Sequence, residues 1–158
     1  MLIDSDILIW FFRGNENAKK LLFAFDGFSI SAVNYIELLQ GATNKNEIRL
    51  IRKFLTASNV EVIPINEEIS NKAMIFVEEY SLSHHLMLAD ALIAATANHF
   101  GEILHTGNYA HYKMIPNLEL GFHSVNVIDD INCSESFLCF MRGAHKTIGK
   151  HIERSRLG

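Results

Sequence analysis

Residues 1–10 constrain this chain more than any other stretch. Without Asp4, Ser5 and Asp6 they are wholly apolar. A short apolar run ahead of a helical pattern reads as a strand buried on both faces. The pattern predicts a strand over 2–4, with Asp6 on the turn into a helix over 7–12. Carboxylates in such a place need a reason, because burying an ionised one costs several kcal/mol unless a partner or a metal compensates it. In open α/β sheets ligands gather beyond the carboxyl ends of the strands, and a strand ending at Asp4 delivers that acid to this edge. An Asp can also simply cap the helix that follows. One cap accounts for one of the two acids, not both.

The rest of the chain alternates in the same manner. Gly14 suits the left-handed position after the first helix, and Asn15 caps a second helix over 15–25 with Leu21, Leu22 and Phe25 facing inward. Asp26-Gly27 is a turn. A strand over 28–31 leads through Ser31 as cap into a helix over 32–40, closed by Gly41. Asn44 opens a helix with Ile48, Ile51, Phe54 and Leu55 at helical spacing. The β-branched run 60–65 is a third strand. Asn66 opens a helix whose apolar face carries Ile69, Ala73, Phe76, Val77 and Tyr80, and 81–85 reads as a polar loop. The segment 88–100 is Ala-rich and apolar nearly all round, so it is a buried helix, and Gly101 ends it. A fourth strand is expected over 102–105, a loop or single turn over 106–111, and a last strand over 124–128. Strands separated by helices imply parallel pairing with right-handed crossovers.

At 158 residues the chain is long enough for one domain with a sizeable core. No apolar run is long enough to span a bilayer, so the expectation is a soluble, cytoplasmic protein without a membrane partner. The two cysteines, Cys133 and Cys139, lack Cys-x-x-Cys spacing and support neither a disulfide framework nor a zinc site. The net charge of −4 argues against holding nucleic acid by bulk electrostatics alone. That charge is uneven: residues 1–132 carry nine Lys/Arg against sixteen Asp/Glu, and residues 133–158 carry five against two. An acidic body of 1–131 is therefore followed by a basic extension of 132–158, helical or partly disordered.

Two further acids stand out. Glu37 lies mid-helix with Val33 and Gly41 at its helical neighbours, so no i,i+4 cation explains it, although exposed Glu on helices is common. Asp90 shares its helix face with Met87, Ala94 and Ala97, and no Lys or Arg occurs between Lys72 and Lys113. A first-turn Asp complements the helix dipole, but a carboxylate on an apolar face needs a partner. If Asp4, Glu37 and Asp90 converge, their repulsion raises pKa values or demands a divalent cation. Carboxylates and water suit Mg²⁺ or Mn²⁺ better than zinc, and such a site is fitted to phosphodiester hydrolysis.

Four motifs carry a family resemblance. They are Leu2-Ile3-Asp4-Ser5-Asp6-Ile7-Leu8-Ile9; Ile30-Ser31-Ala32-Val33 with Glu37-Leu38-Leu39-Gln40-Gly41; Leu88-Ala89-Asp90-Ala91-Leu92-Ile93-Ala94-Ala95-Thr96; and Leu104-His105-Thr106-Gly107-Asn108 with Ile115-Pro116-Asn117-Leu118. In this order, over roughly residues 1–120, the chain resembles the PIN-domain ribonucleases, specifically the VapC-like toxins of toxin–antitoxin pairs. The resemblance implies a three-layer α/β/α fold around a central, mostly parallel sheet of four or five strands. It implies a divalent-metal-dependent endoribonuclease acting on RNA, a small antitoxin as partner, and a homodimer. Asp4, Glu37 and Asp90 match the family's metal-site acids. Asp6 falls where the family often has Asn, and Ser5 lies between the two acids. Thr106 and Asn108 match a Thr-x-Asn/Asp motif, with Asn in place of an acid at the fourth site position.

Other readings are weaker. The same fold can serve as a binding module for RNA or a partner with little catalysis. Asp4-Ser5-Asp6 also looks like the Asp-x-Asp of haloacid-dehalogenase-type phosphatases, but no suitable Lys precedes Asp129-Asp130. His84-His85 and the other histidines lack metal-ligand spacing; His111 is close enough to the motif residues to touch substrate. Trp10, Phe11 and Phe12 read as core or, by the resemblance, as part of an antitoxin groove. The stretch 136–141 followed by Arg142, Lys146, Lys150, Arg154 and Arg156 is an amphipathic basic segment. It reads as an RNA contact, a contact to a neighbouring chain, or a solvated helix.

Overall fold

The computed structural model describes residues 1–123. Five strands, β1 (Leu2–Ile3), β2 (Phe28–Ser31), β3 (Val60–Ile63), β4 (Leu104–Thr106) and β5 (Leu120–Phe122), form one sheet in the order β3-β2-β1-β4-β5. Every pairing is parallel, with Leu2 opposite both Ser29 and Leu104. The chain leaves the first strand in the middle of the sheet and fills first one side, then the other. Asp4 follows the central strand, at the switch point where α/β folds collect ligands.

Helices α1 (Ser5–Phe12), α2 (Glu16–Phe23), α3 (Ala32–Gln40), α4 (Lys45–Ala57), α5 (Glu67–His84), α6 (Leu88–Phe100) and the short α7 (Tyr109–Tyr112) cover the sheet. Alternation along the strands sorts them into two cores. Ile3, Phe28 and Ile30 pack with α1, α2 and α4 through Ile7, Phe11, Leu22, Ile51 and Phe54. Leu2, Ile63 and Leu104 point the other way, into α5, α6 and α7, with Ile69, Phe76, Ile93 and Tyr112. Each fully buried Leu, Ile or Phe stabilises the fold by about 1.5–3 kcal/mol. Leu2 and Ile3, adjacent in the chain and both fully buried, therefore anchor opposite layers.

Strand β2 and helices α3 and α6 fall where the pattern predicts them, and Asn15, Ser31, Asn44 and Asn66 cap their helices through side-chain oxygens. Gly14 and Gly101 take the left-handed conformation expected after a helix. Other expectations need correction. The first helix begins at Ser5, so Asp6 is in its first turn and Asp4 is its cap. Phe25 is 45% exposed, because α2 stops at Phe23 before its apolar stripe reaches it. Residues 81–84 are helix rather than loop; α5 runs on through polar residues until His85 turns left-handed. The fourth strand is one or two residues later than predicted, and the fifth lies at Leu120–Phe122. The predicted strand over 124–128 and the extension 132–158 lie outside the described residues. No described helix is long and apolar enough to cross a membrane.

Candidate metal centre

The site is built at the carboxyl ends of β1, β2 and β4. Asp4 is 6% exposed. Its backbone N–H donates to the His105 carbonyl at 3.0 Å, which ties the residue to β4. Its Oδ1 accepts from the Ser5 N–H at 2.7 Å and from Asn34 Nδ2 at 3.4 Å; its Oδ2 accepts from the Thr106 hydroxyl at 2.8 Å. These donors are neutral. Burial, reinforced by the nearby Asp6 carboxylate, pushes the Asp4 pKa up to about 7 against these favourable bonds. The helix cap and the candidate site acid are thus one residue.

Asp6 accepts from the N–H groups of Ile7 at 2.6 Å and Gly107 at 2.9 Å. Burial raises its pKa, and those backbone bonds oppose the rise. Gly107 suits this turn, because a Cβ would lie 1.9 Å from the Trp10 ring and force that ring to shift. Thr106 also accepts from the Asn108 N–H at 2.9 Å, so the Thr106-Gly107-Asn108 turn holds both early acids.

Asn34, which the sequence pattern does not single out, contacts two residues of the candidate site. It is fully buried, and its amide has one possible orientation. Its Oδ1 accepts from the Ser31 N–H at 2.9 Å in a capping box, so its Nδ2 is left to donate to Ser5 Oγ at 2.9 Å and to Asp4. Ser5, having accepted, donates its own proton to Glu37. The relay from Asn34 through Ser5 explains how an apparently unpartnered Glu37 is held. The one available signal was Ser31-Ala32-Val33-Asn34 as a capping box, which says nothing of the second function.

Asp90 lies in the first turn of α6 with its partners on α7. Tyr112 donates to Oδ1 at 3.3 Å, and His111 Nδ1 is 3.1 Å from Oδ2. Asn108 Nδ2 lies 2.7 Å from the same His111 nitrogen. That nitrogen serves as donor to Asp90 or as acceptor from Asn108, not both at once. Burial, then the charges of Asp4 and Asp90, raise the Tyr112 pKa well above the usual phenol value. The expectation that Asp90 has no sequence-local partner holds for Lys and Arg, while His111 and Tyr112 supply one from twenty residues on.

Asp4 and Glu37 are thereby joined through Ser5 and Asn34, and Asp90 is reached from Asp4 along the contacts of Thr106, Asn108 and His111. They do not touch as a ready-made ligand cluster: among the described residues no three Asp, Glu, His or Cys side chains form a group that holds a metal ion. The reason is that each acid is turned toward its own neutral donors. The donor set nonetheless fits a hard divalent cation. It offers carboxylate oxygens, with hydroxyl and amide oxygens beside them, and its innermost acid carries a charge that only neutral groups offset. Beside Glu37 runs a cavity of about 300 Å³ lined by Ile9, Phe12, Leu38 and Ile51, with Arg13 and Glu47 at its polar parts. Phe11 is core, Phe12 is both core and groove wall, and Trp10 covers Gly107.

The PIN domain family matches residues 1–114, and the chain belongs to it. Nucleases of this family generally use divalent metal ions, and the all-parallel, helix-flanked sheet is its fold. The chain is similar to a chain of a toxin–antitoxin complex from Klebsiella pneumoniae, at 28% identity and a TM-score of 0.67, over 78% of this chain and 98% of that one. It also shares the fold of a chain in VapBC2 from Rickettsia felis bound to a promoter DNA fragment, at 22% identity and TM-score 0.63, over 78% and 98%. A third relative in fold is VapBC-1 from nontypeable Haemophilus influenzae, at 21% identity and TM-score 0.64, over 77% and 96%. No curated protein matches the chain.

Proposed function

We propose that this chain is the VapC-like toxin of a toxin–antitoxin pair, a divalent-metal-dependent endoribonuclease that hydrolyses RNA phosphodiester bonds in the cytoplasm. The observation that carries the reading is Asp4: a buried acid at the end of the central strand, joined to Glu37 through Asn34 and Ser5, with its pKa pushed up to about 7. Its ionised form has only neutral partners, and a cation would compensate it in place of the proton. Mg²⁺ or Mn²⁺ held by Asp4, Glu37 and Asp90 would supply Lewis-acid charge for the reacting phosphate.

The chain's own residues set the rest. Asp4 is the fixed ligand, locked by Ser5 N–H and Thr106. Glu37 approaches from α3, with Ser5 and Asn34 holding it. Asp90 stands at the rim beside His111, and Asp6 and Asn108 frame the entry for phosphate. Water adds to phosphorus, the bond to the ribose oxygen breaks, and the leaving oxygen takes a proton. The Klebsiella relative's complex supports a small antitoxin as partner, and the apolar groove beside Glu37 offers it a seat. Exposed Leu82 in the last turn of α5, with Met87 and Leu88 at the start of α6, supplies apolar surface of the kind a homodimer buries.

The test is cleavage of a set of structured RNAs by the purified protein with Mg²⁺, with Mn²⁺ and with EDTA, beside Asp90→Asn. Cleavage that vanishes with EDTA, returns with metal and is lost in the variant supports the reading. Activity that survives full chelation overturns it. RNA binding without any cleavage would mark the fold as a binding module instead.

A further inference from the structure

Asn34 sits in the first turn of α3, fully buried, with both ends of its amide bonded. The bond from the Ser31 N–H needs only an acceptor, which a carboxylate would supply as well at a helix N-terminus. Capping therefore does not ask for an amide. What the amide adds is a donor on its other side, and Nδ2 directs it to Ser5 Oγ at 2.9 Å. Turning the amide over would set Nδ2 against the Ser31 N–H and Oδ1 against the Asp4 carboxylate, so its direction is fixed. Ser5 has one hydroxyl proton, and with Asn34 donating to its oxygen that proton goes to Glu37 Oε2. Oε1 of the half-buried Glu37 has no hydrogen-bond partner among the described residues.

We propose that Asn34 is a positioning residue for Glu37: its amide orients the Ser5 hydroxyl, whose proton holds Oε2 and leaves Oε1 for the divalent cation. The inference rests on the metal-nuclease reading above. Without the amide the hydroxyl is free to rotate, Glu37 loses its donor, and a cation must order a turning side chain as it binds. The longer contact from Asn34 to Asp4, at 3.4 Å, only adds to two shorter bonds that already fix that acid. Groups that orient metal ligands typically change affinity by about 10–100-fold when removed.

The experiment is Mg²⁺ titration by calorimetry in the absence of RNA, for wild type, Asn34→Ala, Ser5→Ala, the double variant and Ser31→Ala. Asn34→Ala and Ser5→Ala should each weaken Mg²⁺ binding by about 10-fold or more. The double variant should bind no more weakly than Ser5→Ala, because the amide acts through the hydroxyl. Ser31→Ala loosens the same helix start by removing the bond to the Val33 N–H, and it should leave the affinity unchanged. In cleavage assays of Asn34→Ala, kcat should fall with KM for RNA unchanged, and high Mg²⁺ should recover most of the rate. In metal-free protein the Asn34 side-chain amide signals in ¹⁵N NMR should move in Ser5→Ala, a readout that stands even if Asn34→Ala does not fold. Amide signals that stay in place overturn the proposal, as do equal losses of affinity in Asn34→Ala and Ser31→Ala, or fully additive losses in the double variant. Wild-type protein that binds no Mg²⁺ removes the metal reading and this assignment together; normal wild-type binding with an unaffected Asn34→Ala removes this assignment alone.

Discussion

Asp4 and Asp90 are the same side chain in two different settings. Asp4 sits at the bottom of the site, 6% exposed, with both oxygens bonded to groups from three elements. Asp90 sits at the rim, its side chain 21% exposed, with two partners that both come from α7. The inner acid is locked by the sheet and by the turn after β4. The outer acid depends on one short helix. In the proposed nuclease the first would be a fixed ligand for the cation and the second an adjustable one where RNA enters and leaves.

Catalysis should separate the two most strongly. Asp4→Asn and Asp90→Asn should each lower RNA cleavage by about 100-fold or more, the scale of losing a group that acts on the reacting atoms. Raising Mg²⁺ or Mn²⁺ should restore part of the rate in Asp90→Asn and none in Asp4→Asn. Equal rescue of both in initial-rate assays would erase the distinction between anchor and rim.

Stability against pH comes next. Asp4 titrates at 3.8 when free and at about 7 in the folded chain. Between these values the folded state keeps a proton that the unfolded state has released. Metal-free stability should therefore fall as pH rises from about 4 to about 7, by at most about 4 kcal/mol, and then level off. Urea melts in EDTA at pH 5 and pH 8 measure this, and Asp4→Asn should flatten the slope. A wild-type protein more stable at pH 8 would mean that Asp4 is well compensated without a cation.

The smallest effect is expected at the fourth position. Asn108 cannot add negative charge, and its amide is turned to His111. A first cation should bind on the three acids and a second only weakly. Asn108→Asp should tighten metal binding and raise cleavage several-fold at low Mg²⁺, a modest gain for one exposed carboxylate near a cation. Two tight sites in RNA-free wild-type protein, seen by calorimetry, would show that the rim is already complete.

Much of the frame was readable residue by residue. Ser31 and Asn44 mark helix starts because their side chains bond backbone only two or three positions away. Gly14 and Gly101 mark ends for an equally local reason. Where the reading slipped, a local signal was missing. Nothing within residues 81–84 opposes helix strongly enough to stop it before His85, and the end of β1 was set by Asp4 becoming a cap. The acids could be singled out by the partners they lacked nearby.

By itself, then, the sequence determined the alternation of elements, their parallel stacking and the acids worth watching. These depend on periodicity and on contacts a few residues apart. Only the tertiary structure decided what joins the acids. Nothing near Asn34 or Tyr112 in the chain marks them as contacts of the acids until β1, α3, α6 and α7 are brought together. A hydrogen bond between distant segments leaves no periodic mark, because its geometry exists only once the sheet has placed both ends within about 3 Å of each other.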